Sequence, residues 1–213
     1  MSDQNTAAAV VMVHGLWFGP WSLALLGRRL RQAGFQTLRF RYRSTRAGLE
    51  EHALALWRFV RRSGGRELHF VAHSLGGLVT LQMLADHGDL PPGRVVLLGS
   101  PLRGSLAARK SGRLPGNGLL LGAARPGLEN GYAGQLHGRE AGMIAGSRSI
   151  GLGLLLGGID GPGDGTVAVS ETRSDMLREH RILPVTHTGM LFSREVAREV
   201  AHFLQEGSFS PSP

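Results

Sequence analysis

The chain of 213 residues contains no cysteine. That single absence excludes a disulfide framework, a thiol nucleophile and a thiolate metal site. Aromatic residues are few, at 6%, and they do not interleave with basic residues as a nucleic-acid surface requires; no helix-turn-helix or zinc-finger pattern is present either. No run of about 20 apolar residues occurs, so no segment reads as a bilayer span. The opening residues MSDQNTAAAV carry Asp3 and no basic stretch, and the apolar run behind them is too short for a secretory leader. A cytoplasmic setting is therefore the expectation. Acidic residues are also in short supply, 16 against 24 basic ones, for a net charge of +8.

What is present fits one globular domain over residues 1–213. Hydrophobic residues make up 42% and charged residues 19%, enough apolar material for a single core. Glycine is abundant, with 32 residues concentrated after position 98, which predicts a compact first half and a loop-rich second half. Arginines cluster at Arg28, Arg29 and Arg31, at Arg39, Arg41, Arg43 and Arg46, and at Arg58, Arg61 and Arg62. Such clusters usually form a solvated surface; an anionic lipid or acidic substrate is the alternative partner, and no nucleic acid is expected.

Ala8–Val13 is a Val-rich apolar run that ends at His14-Gly15, the signature of a buried parallel strand. Pro20–Ala33 has helical spacing and Phe35–Phe40 alternates like a strand. The rhythm continues with a helix over 47–62, a strand at Glu67–Ala72, a helix at Leu75–His87 and a strand at Arg94–Gly99. Strands alternating with helices predict a parallel sheet covered on both faces. Residues 101–142 break the pattern with scattered Gly, Pro and Arg, too long for a simple connection and suited to a lid-like insertion. Beyond it, Met143–Gly146 and Arg181–Val185 read as strands, Val169–Leu177 as a partial helix and Leu191–Leu204 as an amphipathic helix. The last residues, about 206–213, should fray.

The chemistry concentrates at Ala72-His73-Ser74-Leu75-Gly76-Gly77, where a strand turns into a helix. A serine on so sharp a turn needs small residues two before and two after it, and Ala72 and Gly76 occupy those positions. The turn lifts the hydroxyl out of the sheet and sets it at a helix N-terminus. The plainer role for Ser74 is helix capping. A hydroxyl needs a base, and of the nine histidines His187 lies just after the last predicted strand, at the carboxyl edge of the sheet. His73 adjoins Ser74 and should point away from it. An acid is needed to orient the imidazole. Asp164 is preferred, because Asp164-Gly165-Thr166-Val167 leads into an ordered segment; Asp160, a potential turn former, is the alternative. Two backbone amides should receive a developing oxyanion: that of Leu75, after the nucleophile, and that of Leu16, in the loop where Gly15 permits close approach. Trp17, Phe18 and Leu102 are candidate substrate contacts, although core packing is the favoured role for the patch Trp17, Phe18 and Trp21. The run from Gly151 to Gly158 reads as a flexible cover or as an ordinary packed segment; it is no dinucleotide fingerprint.

These features together resemble bacterial lipases and esterases of the α/β-hydrolase superfamily: the His14-Gly15-Leu16 loop, the Ser74 elbow, Ser100-Pro101-Leu102-Arg103-Gly104-Ser105, the Asp164-Gly165-Thr166-Val167 turn and Thr186-His187-Thr188. The resemblance spans about residues 8–205. It implies an α/β fold with a mostly parallel six-stranded sheet, matching that fold's central strands without its two N-terminal antiparallel ones. It assigns nucleophile, acid and base to Ser74, Asp164 and His187, with oxyanion donors at Leu16 and Leu75. Where lipases of this kind often carry Thr-Pro-His, this chain has Ser100-Pro101-Leu102. No cofactor or metal is implied. The expected activity is hydrolysis of an acyl ester or lipid-like substrate through an acyl-enzyme. Acyl transfer by the same residues is one alternative; a non-catalytic fold binding an anionic partner through its arginines is the other.

Overall fold

The computed structural model describes residues 8–63, 67–111, 121–132, 134, 136–150 and 160–211. Six strands, β1 (Ala9–Val13), β2 (Gln36–Phe40), β3 (Leu68–His73), β4 (Val95–Leu98), β5 (Ala141–Gly146) and β6 (Glu179–Leu183), form one sheet in the order β2-β1-β3-β4-β5-β6. Every neighbouring pair is parallel, and at the centre Val11 of β1 stands between Leu38 of β2 and Phe70 of β3. The inner strands are buried on both faces, which explains why they read as unbroken apolar runs. The outer strand β2, QTLRF, is mostly accessible and carries polar and basic residues, a composition that discourages edge-to-edge pairing.

Side chains of β1 alternate between two cores. Val11 and Val13 point to a layer built by α2 (Leu49–Arg61) and α3 (Leu75–Asp86), through Leu56 and Leu78. Val10 and Met12 point the other way, toward Leu26 of α1 (Ala24–Gln32) and Val200 of α6 (Arg194–Glu206). The ends of α6 obey local rules: the Ser193 hydroxyl accepts from the Val196 amide, and Gly207 closes the helix in the left-handed region at φ 78°. Glu50 and Glu51 in the first turn of α2, with Arg58 and Arg61 in its last, suit the helix dipole.

The helix expected over Pro20–Ala33 begins as a 3-10 turn, Pro20–Leu23, before α1. Val169–Leu177 contracts to a 3-10 turn at Val169–Thr172. The insertion expected at 101–142 ends earlier, since Ala141 already opens β5; its described part holds α4 (Leu106–Ser111), a 3-10 turn at Gly122–Ala124 and α5 (Arg125–Asn130). The Gly-rich run 151–158 lies outside the described residues.

The tail corrects another expectation, because residues 207–210 do not fray. Phe209 is buried against Phe203; its amide donates to Glu179 and that of Ser210 to Glu199. The Arg181 guanidinium lies over the Phe209 ring and donates to the Ser210 carbonyl. One apolar side chain, together with side-chain bonds to the backbone of residues 208, 209 and 210, outweighs the ordering entropy that frees most termini. At the same, amino-terminal end of the strands, Glu140 pairs with both Arg94 and Arg178, and Arg94 also donates to the Leu204 and Gln205 carbonyls at the end of α6.

Strand order decides where a site can form. The chain winds from β1 out to β2, then returns past β1 and continues through β3 to β6 in the opposite direction. Loops leaving the carboxyl ends of β1 and β3 therefore diverge to opposite faces and open a crevice. Among the described residues no helix is long and apolar enough to cross a membrane.

Candidate active site

Ser74 stands at the end of β3 with φ 54° and ψ −123°, a conformation L-residues rarely adopt. Its amide donates to the Leu98 carbonyl on β4 at 2.9 Å, which anchors the turn to the sheet. The expected crowding is real: a Cβ on Gly76 would come within 2.5 Å of the Val13 and His14 carbonyl oxygens. Although Ser74 immediately precedes α3, its hydroxyl makes no capping bond. The plainer role of a helix cap is thereby removed, and the side chain faces a cavity instead.

His187 and Asp164 come from loops on the far side of the sheet. The Asp164 side chain is 1% exposed, and its Oδ2 lies 2.7 Å from His187 Nδ1. Oδ1 accepts from the Thr166 and Val167 amides at 2.9 and 2.8 Å, while the Asp164 carbonyl accepts from the His187 amide at 2.9 Å. A carboxylate can only accept, so Nδ1 carries the proton and Nε2 presents its lone pair. Room for this pair depends on Gly99, at φ +56°, where a Cβ would sit 2.9 Å from Asp164 Oδ2 and 3.1 Å from His187 Nδ1. Asp160 plays no part in it: its side chain is 81% exposed and lies 3.7 Å from Lys110.

Two buried histidines brace the site. His73 lies against the His187 ring, centroids 4.6 Å apart, and its Nε2–H donates to the His187 carbonyl at 3.0 Å. Its Nδ1 has no hydrogen-bond partner among the described residues. Burial first, and then the neighbouring His187, push the His73 pKa well below its usual value, so it packs as a neutral ring. His14 donates from Nδ1 to the Gly15 carbonyl and stacks on Tyr42. Burial lowers its pKa too.

Ser74, His187, Leu16, Trp17 and Phe18 line one cavity of about 160 Å³, which Ala107, Ala108, Leu121 and Leu128 of the insertion close on the other side. Leu16 follows β1 and Leu75 opens α3, so both residues stand near the strand-order reversal. The Leu75 amide, at the first position of a helix, has no acceptor within that helix. The Trp17 amide is already held by the Ser44 hydroxyl at 3.0 Å. Two expectations change. Leu102 is buried at 2% in the core instead of lining the cavity, where Pro101 stands, because the 99–102 turn folds inward. Trp17 and Trp21 are not core residues: they are 47% and 67% exposed, their loop protruding ahead of α1. No group of three or more His, Asp or Glu side chains among the described residues is placed to hold a metal ion.

Glu171 escapes sequence reasoning altogether. Its carboxylate accepts from the Leu106 amide at 2.5 Å and the Ala168 amide at 2.8 Å, and its carbonyl accepts from the Arg103 amide at 2.9 Å. It thus joins the Asp164 loop to the start of α4, and burial raises its carboxyl pKa. A glutamate in a four-residue 3-10 turn carries no periodic or motif signal, so only the fold exposes it.

Residues 10–160 match the sequence model of the alpha/beta hydrolase family. No curated protein sequence matches the chain. Among solved structures, a Bacillus licheniformis lipase in its mature form superposes with a TM-score of 0.78 at 18% identity, over 96% of this chain and 93% of that one. A metagenomic carboxyl esterase gives 0.68 at 19% identity, covering 85% of this chain and 65% of the other. A thioesterase from the prodiginine biosynthetic pathway of Streptomyces coelicolor gives 0.66 at 12% identity, over 94% and 86%. Sheet order, the turn at Ser74 and the family match over most of the chain agree: this protein belongs to the alpha/beta hydrolase family.

Proposed function

We propose that the protein is a serine hydrolase of carboxylic esters, with Ser74 as nucleophile, His187 as general base and Asp164 as the acid that orients it. The observation carrying this reading is the buried Asp164–His187 hydrogen bond beside a cavity that the Ser74 hydroxyl also faces. His187 Nε2 takes the Ser74 proton as the oxygen attacks the ester carbonyl. The amides of Leu16 and Leu75 receive the oxyanion, each worth about 3 kcal/mol to the transition state. Collapse expels the alcohol, which leaves with the proton held by His187. Water, deprotonated by the same imidazole, then cleaves the acyl-enzyme and releases the acid.

The cavity sets a size. A space of about 160 Å³ compares with the roughly 150 Å³ cavity that holds a benzene molecule, so the reading favours short acyl chains. Ser74→Ala should abolish hydrolysis of p-nitrophenyl butyrate while circular dichroism stays native, and a fluorophosphonate probe should label wild type only. Full activity in Ser74→Ala would overturn the assignment. Alcohols or amines offered as competing acceptors would reveal transfer in place of hydrolysis.

A further inference from the structure

The cavity has a neighbour of opposite character. Beyond Trp17 and Phe18, which line both spaces, a solvent-open groove of about 850 Å³ runs along the end of β2. Arg39, Arg41, Arg43 and Arg46 line it, and no Asp or Glu side chain among the described residues does. None of these four guanidinium groups forms a salt bridge among the described residues. Four like charges around one recess repel each other, and their mutual repulsion is relieved when an anion enters.

The arginines stand on a pinned segment. The Tyr42 hydroxyl donates to the His14 carbonyl at 2.7 Å, and the Ser44 hydroxyl accepts from the Trp17 amide at 3.0 Å. The Thr45 carbonyl accepts from the Ala123 amide at 3.0 Å, and the Arg43 carbonyl from the Arg46 amide at 2.9 Å. The segment is thereby tied to the Leu16 loop on one side and to the insertion on the other. A charged recess held at fixed distance from a reacting centre lowers the ordering cost of binding.

The geometry points to this groove as the leaving-group subsite of the same active centre, selecting acyl esters whose alcohol portion carries a phosphate. This rests on the proposed hydrolase reading: the apolar cavity takes the acyl chain, the carbonyl sits at Ser74, and the alcohol extends past Trp17 into the groove. A phosphate ester carries up to two negative charges and three terminal oxygens, so it can take guanidinium groups from several sides where a carboxylate offers one charge and two oxygens. The groove adjoins the Ser74 cavity through Trp17 and Phe18, which line both, so one discrete ester can occupy the two spaces at once.

The test compares 1-butyrylglycerol 3-phosphate with 1-butyrylglycerol, which share the ester and differ in the phosphate. The expected ratio of kcat/KM in favour of the phosphorylated ester is about tenfold at low salt, the scale of one charge-assisted hydrogen bond, and it shrinks as ionic strength rises. In Arg41→Gln/Arg43→Gln the ratio falls toward one. Calorimetry on Ser74→Ala reads the groove with chemistry switched off: the phosphorylated ester binds more tightly than the neutral one, and the two arginine substitutions remove the difference. Equal kcat/KM for both esters, or a preference that survives the double substitution, overturns the subsite. Arginine-dependent sedimentation with phosphatidylglycerol vesicles, without preference between the soluble esters, overturns it in favour of membrane docking. Either failure leaves the Ser74 dependence of p-nitrophenyl butyrate hydrolysis intact, whereas the loss of that dependence sinks the hydrolase reading itself.

Discussion

At the scale of single residues, Asp164 and Asp160 make a controlled pair. They lie four positions apart on one loop, yet one is buried against His187 and the other pairs loosely with Lys110 in solvent. Asp164→Asn keeps the volume but lets the wrong imidazole tautomer form; the expected loss in kcat is about a thousandfold or more. Asp160→Asn should change kcat by less than about twofold, since an exposed pair contributes little. Initial rates on p-nitrophenyl butyrate decide the matter, and equal losses would reverse the assignment of the acid. Much of this site is legible in the sequence, because a strand-to-helix serine demands small neighbours and Ala72 and Gly76 sit at the required spacing. Leu102 is not legible, since an apolar residue after a strand looks the same whether the turn opens to a cavity or folds into the core. The exposure of Trp17 and Trp21 is hidden too, since hydrophobicity favours burial without fixing it for any one residue.

At the scale of elements, Glu171 links two segments that no strand pairing joins. Its carboxylate supplies acceptors to α4 and to the Asp164 loop at once. Removing both strands two amides, at about 1–3 kcal/mol. Glu171→Ala should therefore lower the unfolding temperature by several degrees, and Glu171→Gln, which keeps one acceptor oxygen, by less. Because Ala107 and Ala108 of α4 line the cavity, the alanine variant should also raise KM for butyrate esters more than it lowers kcat. Calorimetric scans and steady-state kinetics give both readouts; an unchanged KM would confine Glu171 to a purely structural part. The regular elements are readable from periodicity, and observed strand limits differ from expectation by one or two residues. The insertion is harder, since Gly and Pro scatter its pattern.

For the molecule as a whole, histidines that folding wholly or partly desolvates weaken stability on the acid side. Burial lowers the pKa of His14, His52, His69, His73 and His180 in the folded protein. The unfolded chain titrates near the ordinary value of about 6.5. Below that pH it takes up protons that the folded protein refuses, so stability is full above about pH 6.5 and declines as pH falls. Glu171 opposes this weakly: its raised pKa contributes stability below about pH 4.5 that is lost at higher pH. The urea midpoint should drop steadily from pH 7 to pH 5, and a flat profile would show that these rings meet solvent. The parallel order of the sheet carries a practical consequence. The Ser74 and His187 loops crown its carboxyl ends, while the Arg94–Glu140–Arg178 network and the clasped Phe209 occupy the base. A surface tether or fused partner joined near residue 210 would hang the molecule by its foot, mouth outward, with diffusion to the cavity unobstructed.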